Sequence, residues 1–161
     1  MANTVTVGIS DLNVVKVPDQ LITYALGSCV GICLYDKAVG IAGMAHIMLP
    51  SINESNSKDN IYKFADSGIT ELIKRMTAAG ASKARMVAKI AGGAQMFKVN
   101  TTSLISNIGE RNVISVKKVL AAYGIRIIAE DTGLNYGRTI IFNSVDGGLT
   151  VKSVGKGPKV I

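Results

Sequence analysis

Apolar and polar residues alternate along the first part of the chain. TVTVGIS (4–10) keeps a period of two, LNVVKV (12–17) follows, and PDQ ends it. Such alternation belongs to strands with one buried face. QLITYAL (20–26) predicts a third short strand that runs into a turn at Gly27-Ser28. CVGICLYD (29–36) predicts a half-buried strand, DKAVG a turn, and IAGMAHIML (41–49) the next strand. Residues 29–49 then form a hairpin, which Pro50 ends.

Beyond Pro50 the period changes. SINESNSKDN (51–60) is polar and unpatterned, which predicts a mobile loop placed where a substrate lid could sit. Over 61–79 the spacing predicts a helix: Tyr62, Ala65, Ile69, Leu72, Ile73 and Met76 fall on one stripe, with Gly80 as the C-cap. ARMVAKIAGGAQMF begins as a strand and breaks at Gly92-Gly93, and 98–106 is a second polar loop. A second helix begins near Gly109, with Val113, Val116, Leu120 and Tyr123 inside and Gly124 as its cap. IRIIAED (125–131) is a strand, TGLNYG a turn, and RTIIFNSVDGGLTVKSV a hairpin around Asp146-Gly147-Gly148. Strands that come mostly as hairpins, with two main helices, predict an α+β fold of mixed or antiparallel sheets covered by helices, in a single domain spanning 1–161.

Composition narrows the classes. A chain of 161 residues can bury a sizeable core. The net charge of +7 comes from 18 basic and 11 acidic residues that are scattered, densest in the tail VKSVGKGPKVI. No aromatics interleave with arginine, so a nucleic-acid partner is not expected. No apolar run is long enough to span a bilayer, and MANTVTVGIS lacks the basic and apolar regions of a signal peptide. The expectation is a cytoplasmic protein without membrane insertion. Cys29 and Cys33, on one strand, would lie roughly 13 Å apart, beyond the ~7 Å a disulfide tolerates, and read as free thiols. Two Cys and one His make no zinc pattern, so a zinc site is not expected.

The sole histidine, His46, and Cys29 share the predicted hairpin. With a turn near 37–39, antiparallel pairing sets position 46 or 47 opposite Cys29, within reach of a thiol–imidazole contact. An imidazolium beside a thiol yields thiolate, and the same ring can then protonate a leaving group. Thr23, Ser28 and Tyr24 are the polar candidates for orienting the ring. Gly27 would let the chain turn sharply, and the N–H groups of Ser28 and Cys29 would face an oxyanion. A cysteine on a strand is also often plain core, which is the reading for Cys33. For Cys29 the residues alone leave both readings open. Gly92-Gly93 reads either as a backbone approach beside substrate or as a strand-end turn. Arg111 and Asn112, at a helix start, would hold substrate or simply be structural. Glu130 and Asp131 are adjacent on a strand and point to opposite faces, which argues against an acid/base pair. The six methionines read as core filler.

LGSCVGICLYD, AGMAHIMLP, AKIAGGAQMF, NIGERN and AEDTGLNYGRT together, and in this order, resemble the chemoreceptor glutamine deamidases of the CheD family, over nearly the whole chain. The resemblance implies an enzyme that converts chosen glutamines of methyl-accepting chemotaxis receptors to glutamate and releases ammonia. It implies Cys29 as nucleophile, His46 as base and Thr23 as the third residue, with no metal or cofactor needed. It implies a β-sandwich with flanking helices, in α/β/β layers, similar to the toxin-type cysteine deamidases, and a second partner in the phosphatase CheC. Where the family usually has Gly-Gly after EDT, this chain has Gly133-Leu134. Another cysteine amidase, or a non-catalytic adaptor that binds receptors or CheC, are the alternatives.

Overall fold

In the computed structural model residues 2–56, 59–96 and 107–161 are described, so the loop expected over 98–106 lies outside them. Among the described residues ten strands form two five-stranded sheets. One sheet has the order β1 (Thr4–Thr6), β3 (Gln20–Leu26), β8 (Arg138–Asn143), β9 (Leu149–Ser153), β10 (Lys156–Val160). The other has the order β2 (Asp11–Lys16), β5 (Ile41–Ile47), β4 (Val30–Asp36), β6 (Val87–Gly92), β7 (Arg126–Thr132). Pairing is antiparallel except for β1 with β3 and β6 with β7, so both sheets are mixed. The parallel β6–β7 pair is joined by a crossover that contains α2 (Ile108–Ala122), while α1 (Ala65–Ala78) follows the β4–β5 hairpin. The architecture is an α+β sandwich in α/β/β layers.

Period-two alternation explains the layering. On β4, Val30, Ile32 and Leu34 pack with Ile69, Leu72, Met76, Val116 and Leu120 of the helices. The intervening Cys33 and Tyr35 pack with Leu21, Ile140 and Phe142 of the other sheet. β5 does the same: Ile41, Ala45 and Ile47 face the helices, Ala42 and Met44 the sheet. α1 packs directly over Gly43, where a Cβ would stand 2.7 Å from Met76 Sδ and 2.8 Å from Leu72 Cδ1. Burying each such aliphatic side chain contributes about 1.5–3 kcal/mol.

Three expectations are corrected, and one strand is added. Of the stretch 29–36, Val30–Asp36 is buried on both faces rather than half-buried, because helices cover one face and a sheet the other. The first helix starts at Ala65, not 61: Asn60 caps a 3-10 turn over Ile61–Lys63, and Phe64 then runs extended to bridge Leu49. Tyr62 still packs on the helix-side core. The tail is a strand, β10, unread because every residue of it is exposed and no alternation marks it. It holds Pro158 on the sheet edge, where a missing N–H is harmless. The described part of 51–60 is tied down rather than loose. Ser51 donates to Asp66 at 2.9 Å, Glu54 pairs with Arg111, and the Pro50 carbonyl accepts from Ser115 at 2.6 Å.

Candidate active site

The β4–β5 hairpin and β3 bring Cys29, His46 and Thr23 to the space between the sheets. The hairpin register differs from the sequence expectation. Val30 pairs with Ile47 and Gly31 with His46, so Gly31, not Cys29, is opposite the histidine. Cys29 lies one residue before β4, half-buried against the inter-sheet core. Two residues before Gly31, it shares that face and is a diagonal neighbour of His46, at a typical Cα separation of about 7 Å.

His46 is fully buried, and its ring reaches the other sheet. Nδ1 lies 2.7 Å from Thr23 Oγ1. The same hydroxyl donates to the Val7 carbonyl at 2.7 Å. A hydroxyl has one proton to give. Thr23 therefore accepts from His46, Nδ1 carries the ring proton, and Nε2 is the unprotonated nitrogen. Nε2 is buried and has no hydrogen-bond partner among the described residues. Of the three polar candidates, Thr23 is the one brought to the ring. Tyr24 is 53% exposed, and Ser28 offers its carbonyl to Asn112.

Electrostatics favour neutral forms of both groups. Burial pushes the His46 imidazole down to about 4. Burial also pushes the Cys29 thiol up, against a smaller lowering by its own backbone N–H. The thiolate–imidazolium pair expected from sequence is thus not the resting state. A neutral thiol and a neutral imidazole are what their burial favours. Cys33 is fully buried, and its thiol is raised further.

The backbone around Cys29 is held from two sides. Gly93 N–H donates to the Cys29 carbonyl at 2.8 Å, and Ala94 N–H to the Gly27 carbonyl at 2.8 Å. Gly92 has φ +109, and a Cβ there would run into the Cys29 carbonyl oxygen. Gly92 and Gly93 are thus a backbone approach to the Cys29 turn itself. The sharp turn comes from Ala25, at φ +59, and not from Gly27, whose φ is not positive. Gly27 instead leaves room for Met96, 3.2 Å from where a Cβ would sit. Among the described residues no backbone carbonyl accepts from the N–H of Ser28 or Cys29.

Other singled-out residues are held by partners within the fold. Arg111 pairs with Glu54, and Asn112 is fully buried behind the Cys29 turn. Glu130 pairs with Lys117 at 3.0 Å on the surface, while Asp131 turns inward to Arg138 at 2.9 Å and also meets Lys159. Arg138 went unread, although its sequence position carried a signal: it alternates in phase with the inward Ile140 and Phe142. Met44, Met76 and Met86 are core, whereas Met96 is exposed beside Gly27. Among the described residues no three His, Cys, Asp or Glu side chains gather as a metal site would need. No described helix is long and apolar enough to cross a membrane.

Comparison with known proteins decides the family. Residues 48–153 match the family described as CheD chemotactic sensory transduction. The chain belongs to the CheD family. The match begins after His46, but full-length CheD relatives extend across the site. The probable chemoreceptor glutamine deamidase CheD of Lachnoclostridium phytofermentans is 50% identical over 161 residues, all of both chains. That of Caldanaerobacter subterraneus subsp. tengcongensis is 55% identical over 155 residues, 96% of each chain. Among solved structures, the Bacillus licheniformis hypothetical protein YfiH overlaps at a TM-score of 0.39 and 18% identity, over 72% of this chain and 47% of that one. A likeness that low adds nothing to the sheet orders above.

Proposed function

We propose that this CheD-family chain is a protein-glutamine deamidase, a cysteine amidohydrolase that acts on chemoreceptors. The observation that carries the reading is the Thr23–His46 hydrogen bond, which leaves Nε2 unprotonated, and without a partner among the described residues, on the face that Cys29 shares. Relatives bearing the deamidase name at about half identity support the substrate class.

The chemistry runs in two halves. The Cys29 thiol gives its proton to His46 Nε2 as sulfur attacks the side-chain carbonyl carbon of a glutamine. The N–H groups of Ser28 and Cys29 face the oxyanion. His46 then returns the proton to the leaving nitrogen, ammonia departs, and a thioester remains. Water attacks the thioester with His46 as base, releasing glutamate and the thiol. The sum is amide plus water to carboxylate plus ammonium, with no cofactor in the balance. Two free thiols suit a cytoplasmic setting, and a chain of net charge +7 suits an acidic receptor surface. The phosphatase CheC is the second partner in this reading.

The test is ammonia release and the mass change of amide to acid on a receptor cytoplasmic fragment, for the native chain, Cys29→Ala and His46→Ala. Activity in the native chain that both folded variants lose supports the reading. Full activity in Cys29→Ala sinks the nucleophile. Receptor binding without any ammonia release from the native chain sinks the enzyme and leaves an adaptor.

A further inference from the structure

Asn112 sits in the first turns of α2 and is fully buried. Its side-chain Nδ2 donates to two carbonyls, Ser28 at 2.9 Å and Met48 at 2.9 Å. Ser28 precedes Cys29, and Met48 is two residues past His46. The β4–β5 ladder ends at the Val30–Ile47 rung, so the next rung outward would be Cys29 with Met48. Asn112 therefore closes the ladder at the point where the nucleophile leaves it, one amide joining the segment of Cys29 to the segment of His46.

The amide orientation follows from its partners, since two carbonyls can be served only by the NH2 end. Both protons are thereby used, so Asn112 has none for a substrate oxyanion. Its Oδ1 is buried without a partner among the described residues. The helix start is pressed against the site as well. A Cβ on Gly109 would strike the carbonyls of Gly93 and Ala94, the segment that holds the Cys29 and Gly27 carbonyls from the other side. Ser115 anchors the same helix to Pro50.

We propose that Asn112 is a positioning residue of the Cys29–His46 pair: its amide clamps the Ser28 and Met48 carbonyls and so fixes the sulfur relative to Nε2. The role rests on the deamidase reading, but it has a consequence independent of turnover. Releasing the clamp lets the Cys29 turn open to water. The thiol then sheds the burial that raises it, so Cys29 becomes more reactive toward a small alkylator while deamidation slows.

The experiment compares the native chain with Asn112→Leu, which keeps the branched outline of the side chain but has no donor, and Ser115→Ala, which loosens α2 without touching Ser28. Asn112→Ser, which keeps one donor, stands in if the leucine variant does not fold. Two readouts are taken: receptor-fragment deamidation, and the pH profile of iodoacetamide labelling at Cys29 by peptide mass. Cys33, sealed in the core, reports global unfolding in the same digest. The expected result for Asn112→Leu is a fall in kcat of about 10- to 100-fold, with KM changed less than about threefold. The Cys29 labelling profile moves to lower pH, and Cys33 stays unlabelled. Ser115→Ala keeps the native labelling profile, and Asn112→Ser falls between. A folded Asn112 variant with native kcat and native labelling profile overturns the proposal, as does Cys33 labelling that rises in step with Cys29. If the native chain releases no ammonia, the deamidase reading fails, and the labelling profiles still decide whether Asn112 sets the surroundings of Cys29.

Discussion

Thr23 and His46 stand on different sheets and share one proton relay: His46 Nδ1 donates to the Thr23 hydroxyl, which donates to Val7, each step at 2.7 Å. The relay fixes the tautomer that a base at Nε2 requires. Thr23→Val keeps the shape and deletes the relay. It leaves a buried Nδ1–H unpaired, at a cost of about 1–3 kcal/mol, and lets the other tautomer form. Deamidation by the variant should fall about 10- to 100-fold, a part of what a positioned base contributes. Thr23→Ser, which keeps the hydroxyl, should retain most activity. A valine variant as active as the serine one would remove Thr23 from the site.

The buried ring also makes stability depend on pH. His46 titrates at about 4 in the fold, against 6.5 for an ordinary histidine. Between those values the unfolded chain binds a proton that the native chain refuses, so stability rises with pH through the window and is lost as pH falls. From pH 7.5 to 5 this one group should remove about 2 kcal/mol, above the range where the depressed carboxyls of Asp36 and Asp131 titrate. Urea unfolding at the two pH values measures it. His46→Gln should flatten the difference, and an unchanged slope in that variant would place the effect elsewhere.

What the sequence made legible was whatever has a period or a motif. The apolar runs Val30–Asp36 and Ile41–Ile47 marked the central hairpin, and the stripe through Ile69, Leu72 and Met76 marked α1. Gly-Ser-Cys with the lone His46 marked the candidate site. The register was off because the turn length sets the rung, and a small error in the turn moves His46 from Cys29 to Gly31. β10 was hidden because an exposed edge strand needs no apolar face. Asn112 read as a helix-start polar residue. Only the tertiary fold places two carbonyls from positions 28 and 48 on its amide. The burial that favours the neutral forms of Cys29 and His46 was equally invisible, since the packing of the two sheets supplies it.

Gly92 offers a test of how tightly the Cys29 turn is held. At φ +109 its Cβ would meet the Cys29 carbonyl oxygen, whereas Gly124, at φ +73, has open space. Gly124→Ala should cost only the backbone penalty, about 1 kcal/mol, with activity intact. Gly92→Ala carries the same kind of strain and must also displace Cys29, so its activity should drop more than its stability explains. Urea midpoints and deamidation rates on the two variants decide this, and equal activity in both would show that the turn tolerates the shift.

Arg138 is the largest fully buried side chain in the described core. Its Nε donates to Asp131 at 2.9 Å and its Nη1 to the Gly133 carbonyl at 3.0 Å. Gly133 N–H in turn donates to the Gly92 carbonyl at 2.9 Å, so the ion pair underlies the strand end that grips Cys29. Burial alone would raise the Asp131 carboxyl, but Lys159 and Arg138 outweigh it and hold it below the ordinary range. Arg138→Met leaves that carboxylate in the core with only Lys159, whose side chain is 59% exposed. The expected loss is about 3–5 kcal/mol, the cost of stranding one member of a buried pair. Replacing both, Arg138→Met with Asp131→Leu, should recover much of it, because the stranded charge is gone. Urea unfolding of the two singles and the double gives the coupling. If the double variant is as unstable as the sum of the singles, the pair does not act as a unit, and the cost lies in the lost hydrogen bonds to Gly133.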